Sequence, residues 1–369
     1  MSDARRRAVG SGGADRGSVR PLTGYHHEAY AVPLPRGSAL ARRYDRANLR
    51  VPRPGVLWFD PRYFASEDQL LMALRGRIDR IPEVLRIEGY GVRVRGFIEG
   101  RTLGSGWPGE RRLSPRHLGQ LGQFFRQLVS IDPHAMDIGR IPAAERPPGD
   151  GDSAAALGRL IDFTERRVHR RHEQRYGPLL AALGVTGTDG LDQLRDRSRA
   201  LSRRPSALLH GDLHRQNFVI DLAGDLWIID WELAMIGDPL YDLATHLHLM
   251  RHGAREAART TDVWRDAVER ARPGSSAGWR RDLPVLLAYK RLQSVYTDVI
   301  RAARSLEDSP DSRDSRQDGA ATTRRRLSPV AWRIQRVLDT AREPLGLVSV
   351  PTRGQIMAAY RHWLMRSGS

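Results

Sequence analysis

The apolar positions of the chain change their spacing near residue 100, and the change divides it. Before that point they fall in short β-leaning stretches, 26–34 (HHEAYAVPL) and 38–46 (SALARRYDR), on either side of a Pro-Arg-Gly turn at 35–37. One helix interrupts them: SEDQLLMAL (66–74) opens on a capping serine and an acidic first turn, then carries apolar residues at helical spacing. PEVLRIEG (82–89) and GVRVRGFIEG (91–100) read as two further strands.

Beyond residue 100 the spacing is helical. SPRHLGQLGQFFRQLVSI (114–131) has a serine cap, proline at the first helical position and an apolar stripe. PPGDGDS (147–153) is a loop. Amphipathic helices are expected over 154–184, 283–304, 328–342 and 354–366. The first 20 residues are Arg, Gly, Ser and Asp with almost no large apolar side chain, which predicts a disordered tail; 305–326 is also apolar-poor and predicts a mobile segment. The class is therefore α+β, with a small β-rich lobe over 21–100 and a larger, mainly helical lobe over 101–369.

Composition removes several functions. A chain of 369 residues exceeds what one core usually spans, in keeping with two lobes. No apolar run approaches the roughly 18–20 residues that cross a bilayer, so no membrane partner is expected. The N-terminus lacks the apolar core of a signal peptide, which predicts a cytoplasmic protein. There is no cysteine, hence no disulfide, thiolate metal site or cysteine nucleophile. A net charge of +17 would normally suggest nucleic acid. Here the positive charge is almost all arginine, with Lys290 the single lysine, and it is spread along the chain without an aromatic-studded stripe. Nucleic acid is not the expected partner. His169 and His172, spaced i, i+3, lack a nearby third ligand and read as a solvated helix face rather than a zinc site.

The chemistry lies in 207–247, ALLHGDLHRQNFVIDLAGDLWIIDWELAMIGDPLYDLATHL. Two apolar runs, ALLHGD and LWIID, each end at an aspartate, and VIDLAGDLWI reads as a hairpin turning at 223–225. Asp212 and Asn217 then sit on a loop leaving one strand, and Asp230 at the end of another. The expectation is that all three meet at one end of a single β-ribbon. Asp and Asn end strands everywhere. Their conjunction with His210-Gly211 and Gly237-Asp238-Pro239 is what points to phosphoryl transfer. One carboxylate can orient and deprotonate a hydroxyl, while an amide oxygen and a second carboxylate hold Mg²⁺ on nucleotide phosphates.

HGDLHRQN followed by IIDWE resembles the catalytic loop and metal segment of the aminoglycoside phosphotransferase family, which is similar to choline kinases and, more distantly, protein kinases. The resemblance implies a protein-kinase-like bilobal fold, with ATP or GTP and Mg²⁺ as cofactors. It implies Asp212 as catalytic base, Asn217 and Asp230 as metal ligands, and His210, His214 and Asp242 in support. FIEGRTL (97–103) is similar to the family's lobe connector, so Phe97 and Ile98 are expected beside the base of the nucleotide. Gly24 belongs to the turn covering the phosphates. Glu67 stands where the ion-pair partner of a phosphate-binding lysine belongs, yet no lysine is available. Arg42 and Arg43 lie on the expected second strand, and alternation lets one of them face the nucleotide; Arg43 is the choice.

The implied activity is ATP-dependent phosphorylation of a hydroxyl on a small molecule, an antibiotic or related natural product. The alternatives are a metabolite kinase of choline or homoserine type, and a nucleotide-binding protein with impaired catalysis. A net basic helical lobe favours a neutral or anionic acceptor over a polycation.

Overall fold

The computed structural model describes residues 19–22, 24, 26–34, 41–53, 55–86, 93–105, 112–133, 135–136, 138–141, 149–308 and 320–367. Its elements are mixed α and β, a small antiparallel sheet region followed by a larger helical part. None of the described helices is long and apolar enough to cross a membrane. The chain divides into two compact units, and the division does not fall at residue 100. One contains residues 1–58, 62–147 and 205–276; the other contains 59–61, 148–204 and 277–369.

The first unit holds a five-stranded antiparallel sheet of order β1-β2-β3-β5-β4, formed by Arg20–Leu22, His27–Pro33, Arg46–Pro52, Arg93–Gly96 and Val84–Arg86 in that order. β3 shows why it forms. Ala47 and Leu49 point into a cluster with Tyr30, Val32 and Val94, while Arg46, Asn48 and Arg50 alternate onto the opposite face. Helix α1 (Glu67–Leu74) starts where expected, with the Ser66 hydroxyl accepting the Gln69 N–H.

The strand expected at 38–46 is not there. Residues 41–43 form a turn and the strand begins at Arg46, because RANLRVP, not SALARRY, carries the strict in–out alternation. Arg20, expected within a disordered tail over 1–20, is in a strand instead. Arg20 opens β1 and pairs with Ala31; residues 1–18 lie outside the described residues.

Below the sheet in sequence, β6 (Gly100–Thr102) joins β8 (Phe218–Asp221) and β9 (Leu226–Ile228) in a three-stranded sheet of order β6-β8-β9. A Cβ on Gly100 would lie 2.1 Å from the Ile220 carbonyl, so only glycine lets the connector strand approach β8 this closely. The β8–β9 hairpin is the one read from VIDLAGDLWI. β7 (Ala207–Leu209), however, pairs with β10 (Met235–Gly237), not with that hairpin. Both strands are buried along their whole length, so each is matched with a partner of the same kind. Asp212 and Asp230 therefore leave two different ribbons. Helices α2 (Pro115–Ser130), α6 (Leu240–Met250) and α7 (Ala254–Ala271) complete this unit.

The second unit is helical: α3 (Ser153–Phe163), a π-helical stretch (Thr164–Arg170), α4 (Arg171–Ala182), α5 (Asp189–Ser198), α8 (Trp279–Glu307), α9 (Ala320–Thr340) and α10 (Arg353–Ser367). Its core includes a fully buried ion pair, Arg204 Nη1 to Asp282 Oδ2 at 2.7 Å. The π-helical stretch turns His169 inward against Tyr296, at 5.0 Å between ring centres, so this histidine is buried and not part of a solvated face. Lys290 is buried too, its Nζ donating to Gln293 Oε1 at 2.6 Å. Of the segment expected to be mobile, 305–307 finish α8 and 320–326 open α9, where an apolar stripe from Leu327 to Leu338 is buried; 309–319 lie outside the described residues.

Candidate active site

All the residues of interest belong to the first unit. The chain leaves β7 at His210 and turns at Gly211, whose φ of 81° and whose distance to the Leu233 carbonyl (2.4 Å from an ideal Cβ) both require glycine. Asp242, in the first turn of α6, holds this turn from below. Its Oδ2 accepts the His210 N–H at 2.7 Å and its Oδ1 the Gly211 N–H at 2.8 Å, both buried.

His210 is fully buried, and burial pushes its imidazole down to about pKa 4, so the ring is neutral. Its hydrogen bonds fix the tautomer. Nε2–H donates to the Ile229 carbonyl at 3.1 Å, and Nδ1 accepts the Asp212 N–H at 3.3 Å. One side chain thus ties the Asp212 loop to the residue before Asp230.

The Asp212 carboxylate is held from two sides. His214 Nε2 lies 3.1 Å from Oδ2, with His214 Nδ1 accepting the Gln216 N–H, so Nε2 carries the proton. Asn217 Nδ2 donates to the same Oδ2 at 3.1 Å and to the Asp212 carbonyl at 2.9 Å. The Asn217 amide nitrogen is therefore committed to Asp212, which leaves its oxygen as the donor atom for anything else. Asn217 carbonyl accepts the Ile229 N–H at 3.0 Å, placing it one residue from Asp230 across the ribbon.

Asp230 adopts φ 67°, a left-handed backbone rare outside glycine and expensive for a residue kept only for packing. Behind it, Trp231 is buried against Phe124 and His210, and its N–H donates to Glu67 Oε1 at 2.9 Å. Burial raises the Asp230 carboxyl above its ordinary range; Arg50 opposes this, and Glu67, Glu232 and Asp212 add to it. Glu67 is held the other way. Burial would raise it, but Arg95 and Arg50 together keep it ionised below the usual carboxylate range.

Arg43, the arginine expected to replace the missing lysine, does not meet Glu67. Arg43 sits in the turn before β3, with its side chain 57% exposed and paired to Glu83 at 2.7 Å; Arg42 lies in the same exposed turn. The residue that meets Glu67 is Arg50, near the end of β3. Nη1 donates to Glu67 Oε2 at 3.1 Å, and Nη2 to Asp230 Oδ1 at 2.9 Å. The signal was in the alternation: once β3 is placed on RANLRVP, Arg50 is on the face away from the core.

Sequence reasoning also missed Glu232 and the histidines above it. Glu232 accepts from His26 Nδ1 and lies 3.2 Å from His27 Nδ1; His26 stacks on Trp58 at 4.0 Å. Burial works to raise Glu232, yet the hydrogen bond from His26 and the nearby His27 hold it well below the usual range. Gly24 is exposed just before this pair, where a Cβ would lie 2.8 Å from the His27 carbonyl. Phe97 and Ile98 lie between β5 and β6; the Phe97 N–H donates to the Arg46 carbonyl at 3.0 Å, and the Arg46 guanidinium covers its ring. Among the described residues, Gly24, Phe97 and Ile98 make no hydrogen bond to Asp212, Asn217 or Asp230.

The structure thus assembles two adjoining groups, Asp212–His214–Asn217 braced by His210 and Asp242, and Asp230–Glu67–Arg50. The Asn217 oxygen and the Asp230 carboxylate are hard oxygen donors and suit Mg²⁺ better than a softer metal. The chain belongs to the phosphotransferase enzyme family, whose model matches residues 19–282. No curated protein matches it in sequence.

Several solved structures are similar. Choline kinase LicA from Streptococcus pneumoniae is similar at 14% identity, over 88% of this chain and 93% of its own, with a TM-score of 0.51. The macrolide 2′-phosphotransferase MphH from Brachybacterium faecium has 19% identity over 80% and 89%, with a TM-score of 0.48. A choline/ethanolamine kinase family protein from Mesorhizobium loti has 17% identity over 98% of both chains, also at 0.48.

Proposed function

We propose that this protein is a cytoplasmic small-molecule kinase that transfers the γ-phosphoryl group of ATP, or GTP, to a hydroxyl of its acceptor. The observation that carries this reading is the double clamp on Asp212, with His214 Nε2 and Asn217 Nδ2 both 3.1 Å from one carboxylate oxygen. A carboxylate fixed in this way aligns an incoming hydroxyl and accepts its proton as the phosphoryl group transfers.

Asn217 and Asp230 would hold Mg²⁺, which when bound neutralises charge on the nucleotide phosphates. Arg50, kept in place by Glu67, takes the position of the phosphate-binding lysine and supplies a planar fork in place of a point charge. Gly24, with Phe97 and Ile98 of the connector, would bound the nucleotide at its phosphate and base ends. His210 and Asp242 act through the backbone and do not touch substrate.

The proposed acceptor is a hydroxylated natural product, an antibiotic in particular, neutral or anionic. A metabolite of the choline kind is the alternative, and likeness of fold does not choose between them. The test is Mg-ATP consumption against a panel of hydroxylated antibiotics, nucleosides, amino alcohols and sugars, with product masses recorded. The expected product gains one phosphate, about 80 Da, on one acceptor class, and D212A abolishes it while still binding nucleotide. Nucleotide binding without turnover on any acceptor, in wild type as in D212A, would count against the reading.

A further inference from the structure

Glu67, Asp230 and Glu232 bring carboxylate oxygens within 4.8 Å of one another. Three anions this close repel strongly unless a cation lies among them. Arg50 is in contact with all three. Its Nη1 donates to Glu67 at 3.1 Å, its Nη2 to Asp230 at 2.9 Å, and the same Nη2 stands 3.6 Å from Glu232 Oε2. That last oxygen is the exception in the cluster. The Glu232 side chain is only 9% exposed, and its Oε2 is buried with no hydrogen bond, only the looser ion-pair distances to His27 and Arg50.

A set of hard oxygens, one of them unsatisfied, is what a divalent cation binds once nothing else neutralises it. Arginine holds such a cluster more firmly than lysine would. Its charge does not titrate away, and its fork spans two carboxylates at once. A divalent ion entering beside it would meet a fixed positive charge.

We propose that Arg50 is the resident cation of the Glu67–Asp230–Glu232 cluster and excludes free divalent metal from it, so that the protein takes up metal with the nucleotide and not before it. Nucleotide phosphates compete with the carboxylates for the guanidinium; as it moves to them, Asp230 is freed. The inference rests on the phosphotransferase reading for that last step, but the exclusion itself is tested without nucleotide or turnover.

The experiment titrates the full-length, nucleotide-free protein with Mn²⁺, following the free-ion signal by electron paramagnetic resonance. Wild type and R50K should bind Mn²⁺ weakly. R50A should bind one equivalent roughly tenfold more tightly or better, and R50A/E232Q should lose most of that gain. R50Q, closer in shape, serves if R50A does not fold, as judged by circular dichroism. In wild type, adding the non-hydrolysable analogue AMP-PNP should tighten Mn²⁺ binding.

Two results overturn the proposal: nucleotide-free wild type binding one Mn²⁺ as tightly as it does with AMP-PNP, or no gain in either Arg50 variant. AMP-PNP failing to bind at all would instead strike the phosphotransferase reading, while the difference between wild type and R50A would still stand.

Discussion

His210 is bonded to the backbone of Asp212 and not to its carboxylate: the ring Nδ1 accepts the Asp212 N–H at 3.3 Å while Nε2–H reaches the Ile229 carbonyl. The histidine therefore sets where Asp212 stands without sharing its proton. H210A should lower kcat by about 10- to 100-fold with KM for nucleotide changed much less, since misplacing a reacting group by about an ångström costs on that scale. It should also destabilise the fold by about 2–4 kcal/mol, because a buried donor and acceptor both lose their partner. Steady-state kinetics beside a urea melt would check both. A kcat unchanged in a folded H210A would remove the brace from the account.

Asp242 is a sharper case of the same economy. One carboxylate accepts two buried backbone N–H groups, from His210 and Gly211. D242A leaves both donors stranded and should cost about 2–5 kcal/mol, D242N about half as much because its amide oxygen still accepts one of them. Chemical denaturation of both variants against wild type gives the comparison.

Gly211 admits no side chain. At φ 81°, with the Leu233 carbonyl 2.4 Å from an ideal Cβ, G211A has to move the turn that carries Asp212. Activity should fall to the level of D212A, and melting should drop by several degrees, as expected for a loss of about 2–3 kcal/mol.

Arg43 and Arg50 make a matched pair for testing which arginine serves the nucleotide. R43A removes an exposed ion pair worth no more than about 1 kcal/mol and should leave nucleotide affinity within about twofold of wild type. R50A should weaken it by about tenfold or more. Fluorescent-nucleotide displacement on the two proteins would decide it; equal losses would put Arg43 back in the site.

Two buried histidines give the fold an acid limit. Burial pushes His210 down to about pKa 4, and burial together with His252 pushes His246 down to about 3. Both are neutral in the folded protein, while in the unfolded chain they take up protons near pH 6.5. Stability from these groups is thus complete above about pH 6.5. It falls as pH drops from there towards 4, by about 1.4 kcal/mol per pH unit for each group, and levels off once the folded protein is itself protonated. Guanidinium melts at pH 7.5, 6, 5 and 4.5 should show the decline, and H246N or H246Q should flatten it.

What could be read from the chain, and what could not, follows from the range of the interactions. The Ser66 cap, the helix at 114–131 and the β8–β9 hairpin depend on neighbours a few residues away, and their signals are local. The grouping of Asp212 with Asn217 is local as well, five residues apart. The placing of Arg50 was not, because two adjacent segments both carried arginines and only the partner strand β2 selects between them: Ala31 pairs with Asn48, which turns Arg50 towards Glu67. Glu232 was overlooked for a similar reason. Its partners His26 and His27 lie more than 200 residues earlier, and no spacing rule reaches that far. The pairing of β7 with β10 was likewise decided by burial on both faces, which a three-residue apolar run does not announce.

Lys290 is the single lysine of the sequence, and it is buried in α8 with its ammonium bonded to Gln293. Where a kinase-like site would offer a nucleophilic amine, the proposed site has the guanidinium of Arg50, which does not acylate under ordinary conditions. Acyl-phosphate nucleotide probes and sulfonyl fluorides aimed at that amine should therefore pass this protein by. A chemical census of kinases taken with such reagents would not count it.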